Sequence, residues 1–80
     1  MPNRRSQSDD VRSQIHDALY SSLIDKIRND RYPSTTMMNA VEAGMTEQQL
    51  ADYADALLEK VDGDQFPSID LMRRLAALAG

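Results

Sequence analysis

LLEKVDGDQFPSIDLM, at residues 57–72, repeats in altered form the stretch LIDKIRNDRYPSTTMM at residues 23–38. The two stretches align without a gap and share leucine, lysine, aspartate, proline, serine and methionine at matched positions. Between these identities, isoleucine matches valine and tyrosine matches phenylalanine. This match indicates that the chain consists of two copies of one helix–loop–helix unit, at about residues 12–45 and 46–79.

The first unit opens with a long amphipathic segment. Ser8 can cap a helix whose first turn holds two aspartates, where the helix dipole favours negative charge. We expect this helix over about residues 9–29, ending before Pro33, which disfavours helical geometry at the residue preceding it. Apolar residues recur every four positions and are expected to face the core: Ile15, Leu19, Leu23 and Ile27.

Three hydroxyl side chains mark the starts of the remaining helices. Ser34 is the expected N-cap of a short helix over about residues 35–43, and Thr46 begins a capping box with Gln49. The helix after Thr46 is expected to end at Gly63. Ser68 repeats the place of Ser34 and caps the last helix.

The repeat also predicts how these helices are arranged. No segment alternates as a strand does, so the fold class is all-α: a compact four-helix domain made of two duplicated helical hairpins with pseudo-twofold symmetry. We assign residues 8–80 to this single helical domain and residues 1–7 to a disordered tail. Tyr32 and Phe66 precede the two equivalent prolines and are expected to plug the hairpin ends into the core.

Composition limits the class of protein. The 80 residues include thirteen acidic and nine basic side chains, a net charge of −4. Because binding to nucleic acid requires a cationic surface that releases counterions, this balance argues against general nucleic-acid affinity. The chain has no cysteine, as is typical of a reducing compartment, and no apolar run suggests a signal peptide or membrane span. We therefore expect a cytoplasmic protein without a membrane partner.

The segment AVEAGMTEQQL at residues 40–50 resembles the middle of a bacterial helix-turn-helix, with alanine four residues before the turn glycine and leucine six residues after it. The resemblance implies that the third helix would enter the DNA major groove. That helix carries no basic residue before Lys60, and phosphates would repel its carboxylates. A helix-turn-helix DNA-binding regulator is therefore the alternative function, with direct nucleic-acid binding the weaker expectation.

Carboxylates line one side of the third helix at helical spacing: Asp52, Asp55, Glu59 and Asp62. Over residues 47–64, six acidic residues stand against one lysine, which gives this segment a net charge of −5. An acidic face of this kind keeps a small protein soluble. It also permits a further hypothesis, an acidic DNA mimic that inhibits a nucleic-acid-binding protein.

Side chains suited to catalysis are scarce. His16 is the only histidine and cysteine is absent, so no catalytic dyad or triad can combine them. Asp62-Gly63-Asp64 resembles the opening of a calcium loop, but Pro67 and Arg73 occupy the places where an EF-hand needs glycine and glutamate. We expect no catalytic residue, metal site or cofactor, and a structural, partly solvated role for His16.

The fourth helix is apolar around most of its circumference. One edge, Leu71, Leu75 and Leu78, can close the core. The other edge would remain in water, at a cost of roughly 25 cal/mol per Å², unless a partner covers it. A twofold dimer hides such a surface on both copies. Its arginines are expected to reach the acidic side of the third helix in the second copy. The candidate protein interface comprises Ile69, Met72, Arg73, Arg74, Ala76 and Ala79.

These observations predict a non-enzymatic protein-binding module. Its size and acidity are typical of a small adaptor or inhibitor among bacterial or phage accessory proteins. Flexible methionine side chains suit both irregular cores and adaptable interfaces: Met37, Met38, Met45 and Met72. We expect a homodimer that binds another protein through the apolar last helix or through the acidic face.

Overall fold

The computed structural model describes residues 4–80, with side chains from residue 8 onward, and contains four α-helices. No strand occurs in these residues, so the all-α prediction is confirmed. Helix α1 packs against α2 and α3, and α4 packs against α3. The helices span α1 (Arg4–Asn29), α2 (Thr35–Gly44), α3 (Glu47–Gly63) and α4 (Ile69–Leu78).

All four helices contribute apolar side chains to one core. The largest fully enclosed side chains lie on α1, α2 and α3 and are Tyr53, Ile27, Leu57 and Val41. Helix α4 contributes Leu71, which is also buried. Leu75 and Leu78 are half-buried and pack against this core. The leucine edge of α4 therefore closes the core, as the sequence predicts.

Side-chain contacts fix the directions of the helices. His16 lies beside Gln49 and Arg28 lies beside Glu59, so α1 and α3 run in the same general direction. His16 also bonds the carbonyl of Gly44 at the end of α2, which makes α2 antiparallel to α1. Helices α1 and α3 therefore lie side by side, with a short helix following each.

The two Pro–Ser junctions start α2 and α4 in the same way. Ser34 (φ −63°, ψ 127°) and Ser68 (φ −62°, ψ 130°) both have extended backbones. The Ser34 Oγ accepts a hydrogen bond from the Met37 amide at 3.2 Å, and the Ser68 Oγ accepts one from the Leu71 amide at 3.3 Å. Each serine thus satisfies a backbone donor that a helix start would otherwise leave unpaired.

The junction between α2 and α3 does not use the left-handed backbone that glycine commonly adopts at a helix end. Among the described residues only Gly80 has a positive φ, so Gly44 is not a left-handed helix end. It belongs to α2, and Met45 ends that helix with an extended backbone. The absence of a side chain at Gly44 serves packing, because a Cβ there would collide with the hydroxyl of Tyr20.

Helix α1 begins earlier than predicted. It starts at Arg4 rather than at about residue 9, so Ser8 lies inside the helix and does not cap it. Residues 4–7, which the sequence analysis assigns to a disordered tail, are helical, whereas residues 1–3 of that tail lie outside the described residues. Arginine and glutamine are good helix formers, and extending an existing helix by a turn needs no new nucleus.

The apolar series on α1 does not face the core throughout. Ile27 is fully buried, whereas Val11, Ile15 and Leu19 are each more than half exposed. In a helix of 3.6 residues per turn, each step of four residues rotates by about 40°, so Ile15 points about 120° away from Ile27. The start of α1 also projects beyond the core, and the molecule measures 57 × 25 × 18 Å.

The equivalent caps generate a prediction for stability. Replacing Ser34 or Ser68 by alanine should each lower the free energy of unfolding by about 1 kcal/mol, because one amide of the first turn loses its acceptor. Urea denaturation followed by circular dichroism measures this change. Loss of partner binding at either serine without a matching loss of stability would contradict a purely structural role.

Candidate protein-binding surface

The outer edge of α4 is open to solvent. Ile69 is 64% exposed and Met72 is 41% exposed, and three further members of the predicted interface are also exposed: Arg73, Ala76 and Ala79. The buried and half-buried leucines lie on an edge about a third of a turn away, so α4 has a core edge beside an uncovered apolar edge. The structure thus brings five of the six predicted interface residues to one surface.

Arg74, the sixth of these residues, is not on that surface. Its side chain is 11% exposed and points towards α2, where Nη1 donates to Glu42 Oε2 at 2.7 Å and to Asn39 Oδ1 at 2.9 Å. Its Nε donates to Asp70 Oδ2, one helical turn earlier, at 2.8 Å. The expectation that Arg74 reaches a second copy is therefore wrong, because carboxylates of its own chain hold it.

Glu42 joins this network to the core. Besides Arg74, it accepts a hydrogen bond from the hydroxyl of Tyr53, whose ring lies at the centre of the core. Burial, followed by the hydrogen bond and charge of Glu42, raises the pKa of Tyr53 well above its usual range. The hydrogen bonds that Arg74 donates to Asp70 and Glu42 also raise the pKa of Arg74. The network links α2, α3 and α4 and keeps Arg74 charged.

An open groove separates the outer sides of α3 and α4. It has a volume of about 560 Å³, and Leu58 beside it is 47% exposed. We call this feature the α3–α4 groove. Its lining is apolar apart from one glutamate at the start of α3, and comprises Glu47, Leu50, Ala51, Ala54, Leu58, Leu75, Ala76, Leu78 and Ala79.

Of the groove residues, only Ala76 and Ala79 belong to the predicted interface, and the α3 wall is not predicted from the sequence. Leu50 and Ala54 are half-buried and Leu58 is 47% exposed, so α1 and α4 do not fully cover this side of α3. Small residues three positions apart gave the missing signal. Ala51 and Ala54 on α3, with Ala76 and Ala79 on α4, leave a depression between two helices.

The predicted acidic face of α3 is partly paired within the chain. Arg28, on α1, donates to Asp55 Oδ2 at 3.3 Å and to Glu59 Oε2 at 2.8 Å. Its second Nη nitrogen contacts the carbonyl oxygen of Asp52 at 3.4 Å. All four predicted residues of the face remain exposed, but two of their carboxylates share one guanidinium.

Arg28 is correspondingly stabilised in its charged form. Burial opposes its charge, but the hydrogen bonds and charges of Asp55 and Glu59 outweigh this effect and raise the pKa of Arg28. Both carboxylates are more than half exposed, so these pairs contribute little to stability. They do reduce the negative potential that α3 presents to a partner.

Tyr32 and Phe66 do not plug the hairpin ends, so that prediction is wrong. They are 78% and 84% exposed. Pro33 and Pro67, which follow them, are half-buried instead. Both aromatic rings line a second open cavity of about 550 Å³ between the two Pro–Ser loops, with the Arg31 guanidinium 5.5 Å from the Tyr32 ring centre.

His16 is partly buried and bonded at both ring nitrogens. Its Nε2 donates to the Gly44 carbonyl at 2.8 Å, and its Nδ1 lies 3.4 Å from Gln49 Nε2, which can donate to it. Its ring stacks on Tyr20 at 4.1 Å between centroids. These contacts join α1 to the α2–α3 junction and give His16 a structural position.

Comparison with known proteins adds no family: no family model, no curated protein and no solved structure matches this chain. Within residues 4–80, no three potential ligands from histidine, cysteine, aspartate and glutamate come together as a metal site. None of the four helices is long and apolar enough to cross a membrane. An assignment of function therefore rests on the shape and chemistry of the surface.

The two adjacent arginines of α4 give a matched test of the polar network. Arg74→Ala should lower the free energy of unfolding by about 2 kcal/mol, because Glu42 and Asn39 lose a charged donor in a half-buried site. Arg73→Ala, at an exposed position, should change it by less than about 0.5 kcal/mol. Urea unfolding measures both, and equal effects would contradict the proposed difference.

Proposed function

We propose that this chain is a non-enzymatic protein-binding module, an adaptor or inhibitor whose binding face is the α3–α4 groove. The observation that carries the proposal is a continuous apolar surface left open beside a well-filled core. Leu58 lines the groove and is 47% exposed. Ile69 and Met72, also exposed, precede the groove residues Ala76 and Ala79 on α4.

The shape of the groove favours a helix as its ligand. It lies between two helices, and four alanines line it. Small side chains allow the backbone of a third helix to approach closely, in the way that amphipathic helices dock into apolar grooves with residues at i, i+3, i+4 and i+7. The 10 residues of α4 are about 15 Å long, or nearly three turns of a docked helix.

A charged group at one end of the groove would orient that ligand. Glu47, at the start of α3, lines this end. A single charge there favours the direction of the bound helix that places an opposite charge beside it. A ligand with a basic group near Glu47 is therefore preferred.

The two alternative functions find less support. For a DNA reader, α3 would have to present cations, and its exposed side instead carries Glu47, Asp52 and Asp55. For a DNA mimic, the carboxylates should be free, and Arg28 pairs with Asp55 and Glu59. Neither alternative uses the apolar groove.

We also propose that the two hairpins arose by duplication and are related by a pseudo-twofold axis. Ser34 and Ser68 have nearly identical backbone angles and hydrogen bonds, and α2 and α4 each span 10 residues.

Selection of peptides tests the groove directly. A phage-displayed library of helical peptides is panned on the wild-type chain, immobilised at low density so that copies cannot pair. Enriched peptides should carry apolar residues at i, i+3 or i+4, and i+7. Their affinity should fall at least about tenfold on Ala76→Glu, because docking then buries an unpaired carboxylate.

Ala77→Glu is the control for that experiment. It places the same charge on the next residue of α4, which is exposed but does not line the groove, and affinity should stay within about twofold, a difference of under 0.5 kcal/mol. Peptides that bind Ala76→Glu as well as wild type, or a failure to enrich any helical pattern, would contradict the assignment of the groove.

The charge of α3 predicts the outcome of a DNA-binding assay. Duplexes selected from a random-sequence pool over several rounds should bind the chain no more tightly than about 1 µM at physiological salt, the range of non-specific affinity. Mobility shift measures this. Sequence-dependent binding tighter than this value would favour the helix-turn-helix alternative over the protein-binding module.

A further inference from the structure

The first turns of α1 project without support from the other helices. Among the side chains that the structure describes, His16 is the first on α1 that is even half-buried. The 26-residue helix is about 39 Å long, whereas α2 ends beside His16 at Gly44 and α3 begins nearby. The part of α1 before His16 therefore extends past the ends of its neighbours.

Apolar side chains are exposed on this projecting segment and on the turn that follows it. Val11, Ile15 and Leu19 are more than half exposed and follow one another at steps of four residues along one side of the helix. We call these three residues the α1 stripe. A helical segment this short is marginal in water when it packs against nothing, so a helix bearing an exposed apolar stripe is stabilised by a surface that covers it.

The α3–α4 groove has the size and chemistry of such a surface. Residues 4–15 of α1 span about 18 Å, and the α4 wall of the groove spans about 15 Å. The stripe carries three branched side chains and the groove is lined by four alanines, which is the pairing of large and small residues that close packing requires. Arg12, exposed beside the stripe, supplies the basic group that Glu47 favours at the rim.

The groove of the same chain is out of reach of the stripe. Helix α1 contacts α3 through Arg28, Asp55 and Glu59, none of which lines the groove. A continuous helix cannot fold back across α3 to the other side. Each chain thus has one uncovered stripe and one uncovered groove that cannot meet each other.

We propose that two copies of this chain form a twofold dimer in which the α1 stripe of each copy occupies the α3–α4 groove of the other. The proposal rests on the proposed function of the groove as a helix-binding site and names its occupant. Reciprocal exchange covers both stripes and both grooves in one closed pair, whereas a one-way contact would leave one of each exposed. It replaces the direct contact between α4 edges that the sequence suggests.

Sedimentation equilibrium of the full chain tests the exchange. Wild type should dimerise below about 100 µM. Ile15→Glu on the stripe and Ala76→Glu in the groove should each raise the dimer dissociation constant at least about tenfold. The controls Ser13→Glu and Ala77→Glu, at exposed positions outside the stripe and groove, should leave it within about twofold. All four substituted positions are exposed, so the fold should tolerate them, and circular dichroism verifies this.

Mixing the two defective variants gives the decisive readout. In a mixed pair, the intact stripe of Ala76→Glu can enter the intact groove of Ile15→Glu, so the equimolar mixture should associate more tightly than either variant alone. Loss of dimer in Ile15→Glu alone would instead indicate stripe-to-stripe pairing. Loss in Ala76→Glu alone would indicate groove-to-groove pairing. Either result overturns the exchange, as does a wild-type monomer at about 100 µM.

The outcomes separate this proposal from the one on which it rests. If wild type is monomeric while selected helical peptides bind wild type and lose affinity for Ala76→Glu, the groove is a helix-binding site for a different protein and the exchange is wrong. If dimerisation is insensitive to Ala76→Glu and no peptide is enriched, both proposals are wrong.

Discussion

The hydrogen-bonded contact of Arg74 with Glu42 holds the short helices of the two hairpins together. Helices α2 and α4 each have 10 residues, too few to be stable alone in water, and each depends on what it packs against. Arg74, on α4, donates to Glu42 on α2. Glu42 also accepts a hydrogen bond from the hydroxyl of Tyr53, whose ring is the largest fully enclosed side chain. The polar contact therefore lies beside the apolar centre and links the two short helices to it.

With α4 fixed in this way, the leucine edge of the helix faces inward and the alanine edge cannot. Met72, Ala76 and Ala79 remain outside because Arg74 and Leu71 set the rotation of α4 about its axis. The open groove is thus a consequence of how the core is closed. On the opposite flank of α3, Arg28 pairs with carboxylates, so α3 separates a charged, internally paired side from an apolar, open side.

The sequence predicts features that depend only on neighbouring residues, such as helix caps, but not the direction in which a side chain points. Ser34, Thr46 and Ser68 act on amides three residues away, so their capping roles depend on little beyond their own turns. Ile15 and Leu19 lie outside the core because a period of four residues drifts around a helix of 3.6 residues per turn. The exposure of Tyr32 and Phe66 is not predicted because both lie in loops, where no helical periodicity indicates which side chains are buried. Arg74 and the α3 wall of the groove depend on which helix lies opposite, and a single sequence does not specify that.

The three tyrosines give the molecule a built-in set of optical reporters. The chain has no tryptophan, so its near-ultraviolet emission comes from Tyr20, Tyr32 and Tyr53. Tyr53 is enclosed in the core beside a carboxylate, whereas Tyr32 is 78% exposed at the cavity between the loops. A soluble quencher such as acrylamide reaches Tyr32 and not Tyr53. Collisional quenching therefore reports the occupancy of that cavity separately from the integrity of the core, without any attached dye.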